Sequence, residues 1–311
     1  MANDTFTGGF SAGDILYEDN HLIAVNKRAG QLVQSDTAGE PGLEEMIKAF
    51  IKERDGKPGE VFLGVAHRID RPVSGAVLFA KTSKALVRLN EMLRDRSVKK
   101  IYWAITENIP EEPEGTLHHW MTRDGKTNRA HAYASPRGDA KEAVLRYRLL
   151  GGIKNYRLLE VELITGRHHQ IRCQLAKAGC PIKGDLKYGA PRSNPGGGIS
   201  LHSRSLSFVH PVRREPLTIT APVATGRGLQ HYPCGRQQHP SREKIGYPAP
   251  GSPQIRRDCG IVRHHHTGKT SRRVDGGSLR RQEHHRPRTD RSRGQDAPHP
   301  LPEQHLHQRP A

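Results

Sequence analysis

Through residue 225 the apolar positions of the chain follow two periods. Short apolar runs, alternating or continuous and bounded by turn residues, predict strands. ILYEDNHLIAVNK reads as two short strands with a turn at Asp19–Asn20, GAVLFAK as a buried strand and VKKIYWAITE as another. EAVLRYRLLGG and YRLLEVELIT form a hairpin joined around Gly151–Asn155, and ISLHSRSLSFVHP and PLTITAP are two further strands. The second period, near 3.6, marks helices. GLEEMIKAFIKER brings Leu43, Met46, Ile47 and Phe50 to one face, and SKALVRLNEMLRD follows with Ser83 as its predicted N-cap. RHHQIRCQLAKAG starts just after Gly166 and meets a glycine stop at Gly179. Hairpins without strict strand–helix–strand alternation predict an α+β fold.

After TITAPVAT the texture breaks. Residues 227–311 hold 17 Lys+Arg against 7 Asp+Glu, with 10 His and 10 Pro, no Phe, Trp or Met, and only nine Leu, Ile or Val. So little apolar surface cannot offset the entropy of ordering the chain. The sequence therefore divides into a globular domain at 1–225 and a tail at 226–311 expected to be disordered. The tail is either a genuine basic arm that binds RNA non-specifically or an out-of-frame C-terminus, as its abrupt junction and random order suggest. The HHH at 264–266 is taken as part of that tail rather than a metal site.

Charge changes the picture next. The chain has 50 Lys+Arg and 32 Asp+Glu, a formal net charge of +18, of which the tail carries +10. The body is thus basic in its own right, which points to nucleic acid or an acidic membrane surface as partner. No apolar window is long enough for a spanning helix, and the N-terminus lacks the basic start and apolar core of a signal peptide. The four cysteines, at 173, 180, 234 and 259, form no CxxC pair. A cytoplasmic protein with reduced thiols is the expectation. No GxxxxGK[ST], GxGxxG after a strand, HExxH or GxSxG occurs, so no cofactor signature is present.

The chemistry concentrates in three stretches. HRIDRPVSG sets Asp70 between Arg68 and Arg71 ahead of a buried strand. Such a carboxylate can act as a nucleophile on an electrophilic carbon, or form an ordinary surface ion pair. In TGRHHQIRCQL a helical reading puts Arg167 with Ile171, and His168 with Arg172, on shared faces. Arg172, set among apolar Ile171 and Leu175, needs a carboxylate partner if it points inward, and Asp70 is the candidate. His168 and His169 have no carboxylate or Cys at ligand spacing, which argues against a metal. In KKIYWAITE, Tyr102 and Trp103 point to opposite faces of a strand, so one faces the interior.

Together these stretches resemble the RluA-type family of RNA pseudouridine synthases. HRIDRPVSG, KKIYWA, TGRHHQIRCQLAKAGCPIKGDLKYG and LHSRSLSFVHP, with NKRAGQLV at 26–33, occur in family order along residues 14–222. The resemblance implies a mostly antiparallel sheet in two halves, flanked by helices and loops and crossed by the active cleft. It implies an isomerase that converts uridine to pseudouridine in structured RNA, either tRNA or large-subunit rRNA, without cofactor or metal. By motif, Asp70 is the catalytic aspartate and Tyr102 the tyrosine that stacks on the target base. Arg172 salt-bridges the aspartate, and Arg68 enters the gap left by the flipped base. His67, Arg71, Arg167, His169 and Lys100 join Arg68 as expected RNA contacts, and Ile171 lines the uracil pocket.

Lys99, Arg123, Lys126, Arg129 and Lys187 are further candidate phosphate ligands in or near the surrounding loops. Departures from the family pattern are Arg28, Ile69, Val73, His168 and Gln174, none of which removes a catalytic group. Too few residues precede the first strand for an S4-like domain, so the resemblance covers the catalytic domain, expected as a monomer. Two rivals remain open: an RNA-binding module without catalysis, and a metal-dependent nuclease using His67, Asp70, His168 and His169.

Overall fold

Strands β1 (Ile15–Glu18) and β2 (Leu22–Lys27) form the first hairpin, turned where expected. Asp19 closes it, its Oδ1 accepting from the backbone N–H of His21 and of Leu22, each at 2.8 Å. The computed structural model describes residues 9–35, 39–108 and 110–223. Within them follow α1 (Leu43–Arg54), β3 (Gly64–Val65), β4 (Ser74–Ala80), α2 (Ser83–Arg94), β5 (Lys99–Thr106), β6 (Glu114–Asp124) and β7 (Arg129–Tyr133). Then come β8 (Lys141–Ile153), β9 (Tyr156–Leu163), α3 (Gln170–Lys177), β10 (Leu201–Val209) and β11 (Pro216–Thr220). The expected boundary at residue 225, the HHH at 264–266, Cys234 and Cys259 lie outside the described residues.

One mixed sheet runs β1-β2-β4-β10-β5-β9-β8-β6-β7, with β3 paired to β4 and β11 to β10. Its halves meet where β4 and β10 pair in parallel, over only His202↔Ser74 and Ser203↔Gly75; the other described strand pairs are antiparallel. Gly75 permits that contact. Its φ is 111°, and a Cβ there would lie 2.3 Å from the Ser203 carbonyl oxygen. The short seam leaves the Leu78 N–H to be met by the His67 ring, whose Nε2 accepts at 3.1 Å.

The period-two pattern buries both faces of the central strands. Ile23, Val25, Val77 and Phe79 point to one face, where Leu43, Ile47 and Ile51 of α1 cover them. Leu22, Ala24, Ala76 and Leu78 point to the other, under Ala85 and Leu89 of α2. The α1 face also carries Ile69, Val73, Tyr102 and Ile171. The chemistry-bearing stretches therefore converge on this side. Tyr102 is the inward residue of its pair. Trp103 lies on the opposite face, with the Arg204 guanidinium 4.4 Å from its ring centroid.

Three local expectations need correction. The third helix starts at Gln170, not just after Gly166, because His169 adopts a left-handed φ of 50° that interrupts the helical run. Arg167 and His168 therefore precede the helix and share no helical face with Ile171 and Arg172. Thr82, not Ser83, caps α2, its Oγ1 accepting from the Ala85 N–H at 3.3 Å. The β6–β7 hairpin was not foreseen at all. Among the described residues no helix is long and apolar enough to cross a membrane.

Candidate active site

The loop from Ala66 to Val73 carries Asp70, and a lysine from the opening hairpin holds it in place. Lys27, at the end of β2, is 1% exposed. Its ammonium donates to the carbonyls of Arg28 (2.9 Å), Gln31 (2.8 Å) and Arg71 (3.0 Å). Three acceptors match its three hydrogens. Burial draws its pKa down to about 7, with the Asp70 charge acting the other way. The Gly30 N–H donates to the Arg71 carbonyl at 2.8 Å, the Ile199 N–H to that of Pro72 at 3.0 Å, and the Val73 N–H to that of Asp70 at 3.0 Å. Sequence reasoning missed Lys27, although the NKRAG stretch that contains it was in view.

The arginine expected for Asp70 is there. Arg172 Nη1 donates to Asp70 Oδ2 at 3.1 Å across 102 positions of sequence. The guanidinium is otherwise committed to Asp185, a residue given no role in advance. Nε reaches Asp185 Oδ2 at 2.7 Å and Nη2 reaches Oδ1 at 2.9 Å, a bidentate pair with Asp185 only 1% exposed. Burial works against the Arg172 charge. Asp185 and Asp70 together outweigh it and hold the guanidinium above its usual range. Asp70 itself is partly open, its side chain 26% exposed.

Tyr102 borders the same cleft. Burial is the main cause that pushes its phenol up to about 12; a hydrogen bond with Ser203 opposes the shift and the Asp70 charge adds to it. Ile171, 4% exposed, packs in the same apolar cluster and lines the cleft. The cleft encloses about 1550 Å³ and brings Asp70, Tyr102 and Arg172 together with Arg68, Arg96, Lys100, Arg123, Arg167 and Lys187. That volume exceeds the range of ordinary small-molecule pockets, roughly 300–1,000 Å³.

The two arginines that flank Asp70 in sequence do not pair with it. Arg68 projects into the open, with Nη1 3.3 Å from Gln34 Oε1. Arg71 donates to the Gly30 carbonyl at 3.0 Å and pairs with Glu40 at 2.9 Å. Both line the cleft.

The other expected contacts divide. Arg167 lines the cleft while its Nε donates to the Glu142 carbonyl at 2.8 Å. Lys100 is half-buried there, its pKa lowered by burial and by Arg96. His67 is spent on the sheet. Burial, with Lys100 nearby, draws it down to about 4, so it brings no positive charge to a phosphate at neutral pH. His169 is also withdrawn from solvent, 8% exposed beneath His168 and turned toward Asp70. Of the outlying cations, Arg123 and Lys187 line the cleft, whereas Lys99, Lys126 and Arg129 do not. Lys99 points to Glu162, and Arg129 packs against the Tyr188 ring and the Lys187 carbonyl. Among the described residues no three His, Cys, Asp or Glu side chains converge as a metal cage.

Three of the five departures from the family pattern settle into structural roles. Val73 is core, Arg28 pairs with Asp14 at 3.1 Å, and the buried Gln174 amide donates to the Leu117 and Ala143 carbonyls at 3.1 Å.

A family model described as RNA pseudouridylate synthase matches residues 21–177. The chain belongs to this family. Its matched span carries Asp70, Tyr102 and Arg172, while Asp185 lies beyond it. An uncharacterized RNA pseudouridine synthase of Synechocystis is 35% identical over 213 residues, covering 68% of this chain and 65% of that protein. Ribosomal large subunit pseudouridine synthase D of Xylella fastidiosa is 34% identical over 223 residues, covering 68% of this chain and 66% of that protein. The chain thus spans slightly less than two thirds of these relatives' lengths. Among solved structures, human RNA pseudouridylate synthase domain containing 4 aligns with a TM-score of 0.57 and 25% identity, over 68% of this chain and 89% of that one. Its human counterpart, domain containing 1, shares the fold at a TM-score of 0.55 and 23% identity, over 68% of this chain and 83% of that one. The α+β pseudouridylate synthase fold is therefore the architecture of this chain.

Proposed function

We propose that this chain isomerises uridine to pseudouridine in structured RNA, with Asp70 as the catalytic group and neither metal nor organic cofactor. The observation that carries the reading is the meeting of Asp70, Arg172 and Tyr102 at the floor of one basic cleft. Family membership supports the same reaction.

A uridine in folded RNA has to leave its stack before its glycosidic bond is accessible. Arg68, exposed at the cleft mouth, fills the vacancy, and Lys100, Arg123, Arg167 and Lys187 hold phosphates. Asp70 then adds to C1′ of the ribose or takes the C2′ proton; either route frees the uracil. The base turns against the Tyr102 ring and Ile171 and rejoins C1′ through C5, displacing the Asp70 oxygen in the first route and taking back the C2′ proton from Asp70 in the second. Apolar walls exclude water and limit competing reactions while the base is loose. The C5 proton leaves last. A phenol held at about 12 is protonated at neutral pH. Tyr102 therefore acts first as a stacking platform, and it can carry the C5 proton only by passing its own onward. Arg172 keeps the Asp70 carboxylate aimed throughout.

Large-subunit rRNA is the favoured substrate over tRNA, because a relative such as the Xylella enzyme is named for the ribosomal large subunit. The deciding experiment compares pseudouridine maps of total RNA from cells with and without this gene, complemented by wild type or by Asp70→Asn. The Asn variant is expected to bind RNA nearly as wild type does and to form no product. Normal product from it would overturn the assignment. Activity that survives EDTA separates this reading from a metal-dependent nuclease, and any product at all separates it from a binding module.

A further inference from the structure

Among the described residues, the side-chain contacts to the Asp70 carboxylate fall on one oxygen. Arg172 Nη1 and His169 Nε2 both face Oδ2, at 3.1 and 3.6 Å. The arginine contact is a hydrogen bond; the histidine contact is slightly too long to be one. His169 was expected among the RNA contacts, yet both ring nitrogens look inward. Nδ1 lies 2.9 Å from the Tyr188 hydroxyl, and that hydroxyl oxygen accepts the Ala130 N–H at 2.8 Å. A phenol has one hydrogen. With Ala130 donating to the oxygen and the Asp70 carboxylate facing Nε2, the arrangement favours that hydrogen on His169 Nδ1. The single proton of a neutral imidazole then sits on Nε2, on the side of Asp70.

Two further observations show that the ring is held there. His169 adopts a left-handed φ of 50°, a conformation unusual for a residue with a side chain and concentrated at functional sites. The His168 ring stacks on it at a centroid distance of 3.8 Å and an interplanar angle of 26°. Burial, with Arg172 and His168 beside it, draws the imidazole down to about 3, so it stays neutral at neutral pH.

We infer that His169 is a positioning residue for the reaction: its Nε2–H closes on Asp70 Oδ2 when a nucleotide fills the cleft, leaving Oδ1 as the oxygen that meets the ribose. The inference rests on the function proposed above. Hydrogen bonds at catalytic groups are often long in an empty site and tighten around substrate. Two donors on one oxygen fix the rotation of the carboxylate, which a single arginine contact does not.

Three variants test this on a transcript of large-subunit rRNA carrying the mapped uridine. His169→Phe keeps the ring shape and removes the donor. His169→Gln returns an amide N–H near the Nε2 position. Tyr188→Phe removes the hydroxyl that sets the tautomer. His169→Phe is expected to lower kcat about 30-fold, within the roughly 10- to 100-fold usual for a side chain that orients another functional group, while KM and RNA affinity stay within about twofold. His169→Gln recovers most of the loss, and Tyr188→Phe loses roughly 10-fold in kcat, the low end for an orienting partner.

An unchanged kcat in His169→Phe overturns the inference. So does weaker RNA binding at unchanged kcat, which is the signature of a phosphate contact. Should His169→Phe fail to fold, the Tyr188→Phe kcat decides in the same way. Wild-type protein that forms no pseudouridine overturns both this inference and the proposed function. Active wild type with an indifferent His169→Phe overturns this inference alone.

Discussion

Arg172 and Asp185 form a buried bidentate pair, at 2.7 and 2.9 Å, and the nitrogen left over, Nη1, is the one that reaches Asp70. The aspartate nobody would choose from the sequence is thus what aims the arginine. Removing one member of a buried ion pair strands the other charge. Asp185→Asn is expected to cost about 3–5 kcal/mol of stability in urea titrations. Where the variant still folds, turnover falls as well, because the guanidinium is no longer anchored behind Asp70. Arg172→Lys should fare little better, since a point charge cannot serve two carboxylates with fork geometry.

Tyr102→Phe separates the platform from the proton. The ring and its stacking remain, so RNA affinity should hold while turnover drops; unaltered turnover would restrict Tyr102 to stacking. The same variant has a stability signature. Folding raises the Tyr102 pKa from 10.0 to about 12, chiefly by burial. The folded state favours the phenol, so this contribution is complete below pH 10 and fades as pH rises toward 12. It amounts to about 2–3 kcal/mol. Alkaline unfolding should be less steep in Tyr102→Phe than in wild type.

These two residues also mark what a sequence can and cannot show. Strand alternation narrowed the inward residue to Tyr102 or Trp103, and it was the family order of the motifs that singled out Tyr102 together with Asp70 and Arg172. Asp185 lies in GDLKYG, a stretch plainly in view, but nothing in its spacing says that it meets a helix 13 positions earlier. Arg68 and Arg71 misled in the opposite sense: adjacency in sequence put them beside Asp70, whereas an extended loop turns them to Gln34 and Glu40. The β6–β7 hairpin was missed because its strands are polar and interrupted, with HHW in one and RAHAY as the other. Its order comes from pairing with β8 and from packing Met121 and Ala130 over Cys173 of α3, both non-local. The parallel β4–β10 seam joins segments more than 120 residues apart, beyond the reach of any local pattern.

That hairpin contributes to the cleft wall and gives a binding prediction. Arg123 of β6 donates to Asn128 Oδ1 at 2.9 Å, and Lys187 donates to the Asn128 carbonyl at 3.1 Å, so both cations are held at the rim. If they meet phosphates, the logarithm of RNA affinity falls linearly with log salt, and each contact removed flattens the slope by about 0.7–0.9. Arg123→Gln and Lys187→Gln should each do so, weakening binding uniformly across RNA sequences. Lys126→Gln and Lys99→Gln, at positions outside the cleft, should leave the slope unchanged. Filter binding between about 50 and 200 mM salt, the range over which such contacts are most visible, checks all four.

Far from the cleft, Glu18 should set the lower limb of the acid stability profile. It accepts from Arg54 at 2.7 and 2.8 Å and from Lys81 at 2.6 Å. The Arg54 hydrogen bonds are the largest cause of its pKa falling from 4.5 to about 2; burial opposes them and Lys81 adds to them. A depressed carboxyl stabilises the folded state above its unfolded pKa, and the contribution is lost as pH falls from about 4.5 to 2. It is worth about 2 kcal/mol once partial exposure of Arg54 is allowed for. His67 works in a different window. Its folded pKa is about 4 against an ordinary 6.5. The unfolded chain therefore takes up that proton first, and stability declines between pH 6.5 and 4. Glu18→Gln should flatten the profile only below pH 4.5 and leave the decline above it in place. Urea midpoints measured at half-unit steps from pH 7 to 2 resolve the two windows, and a variant that flattened both would show that Glu18 and His67 are not independent.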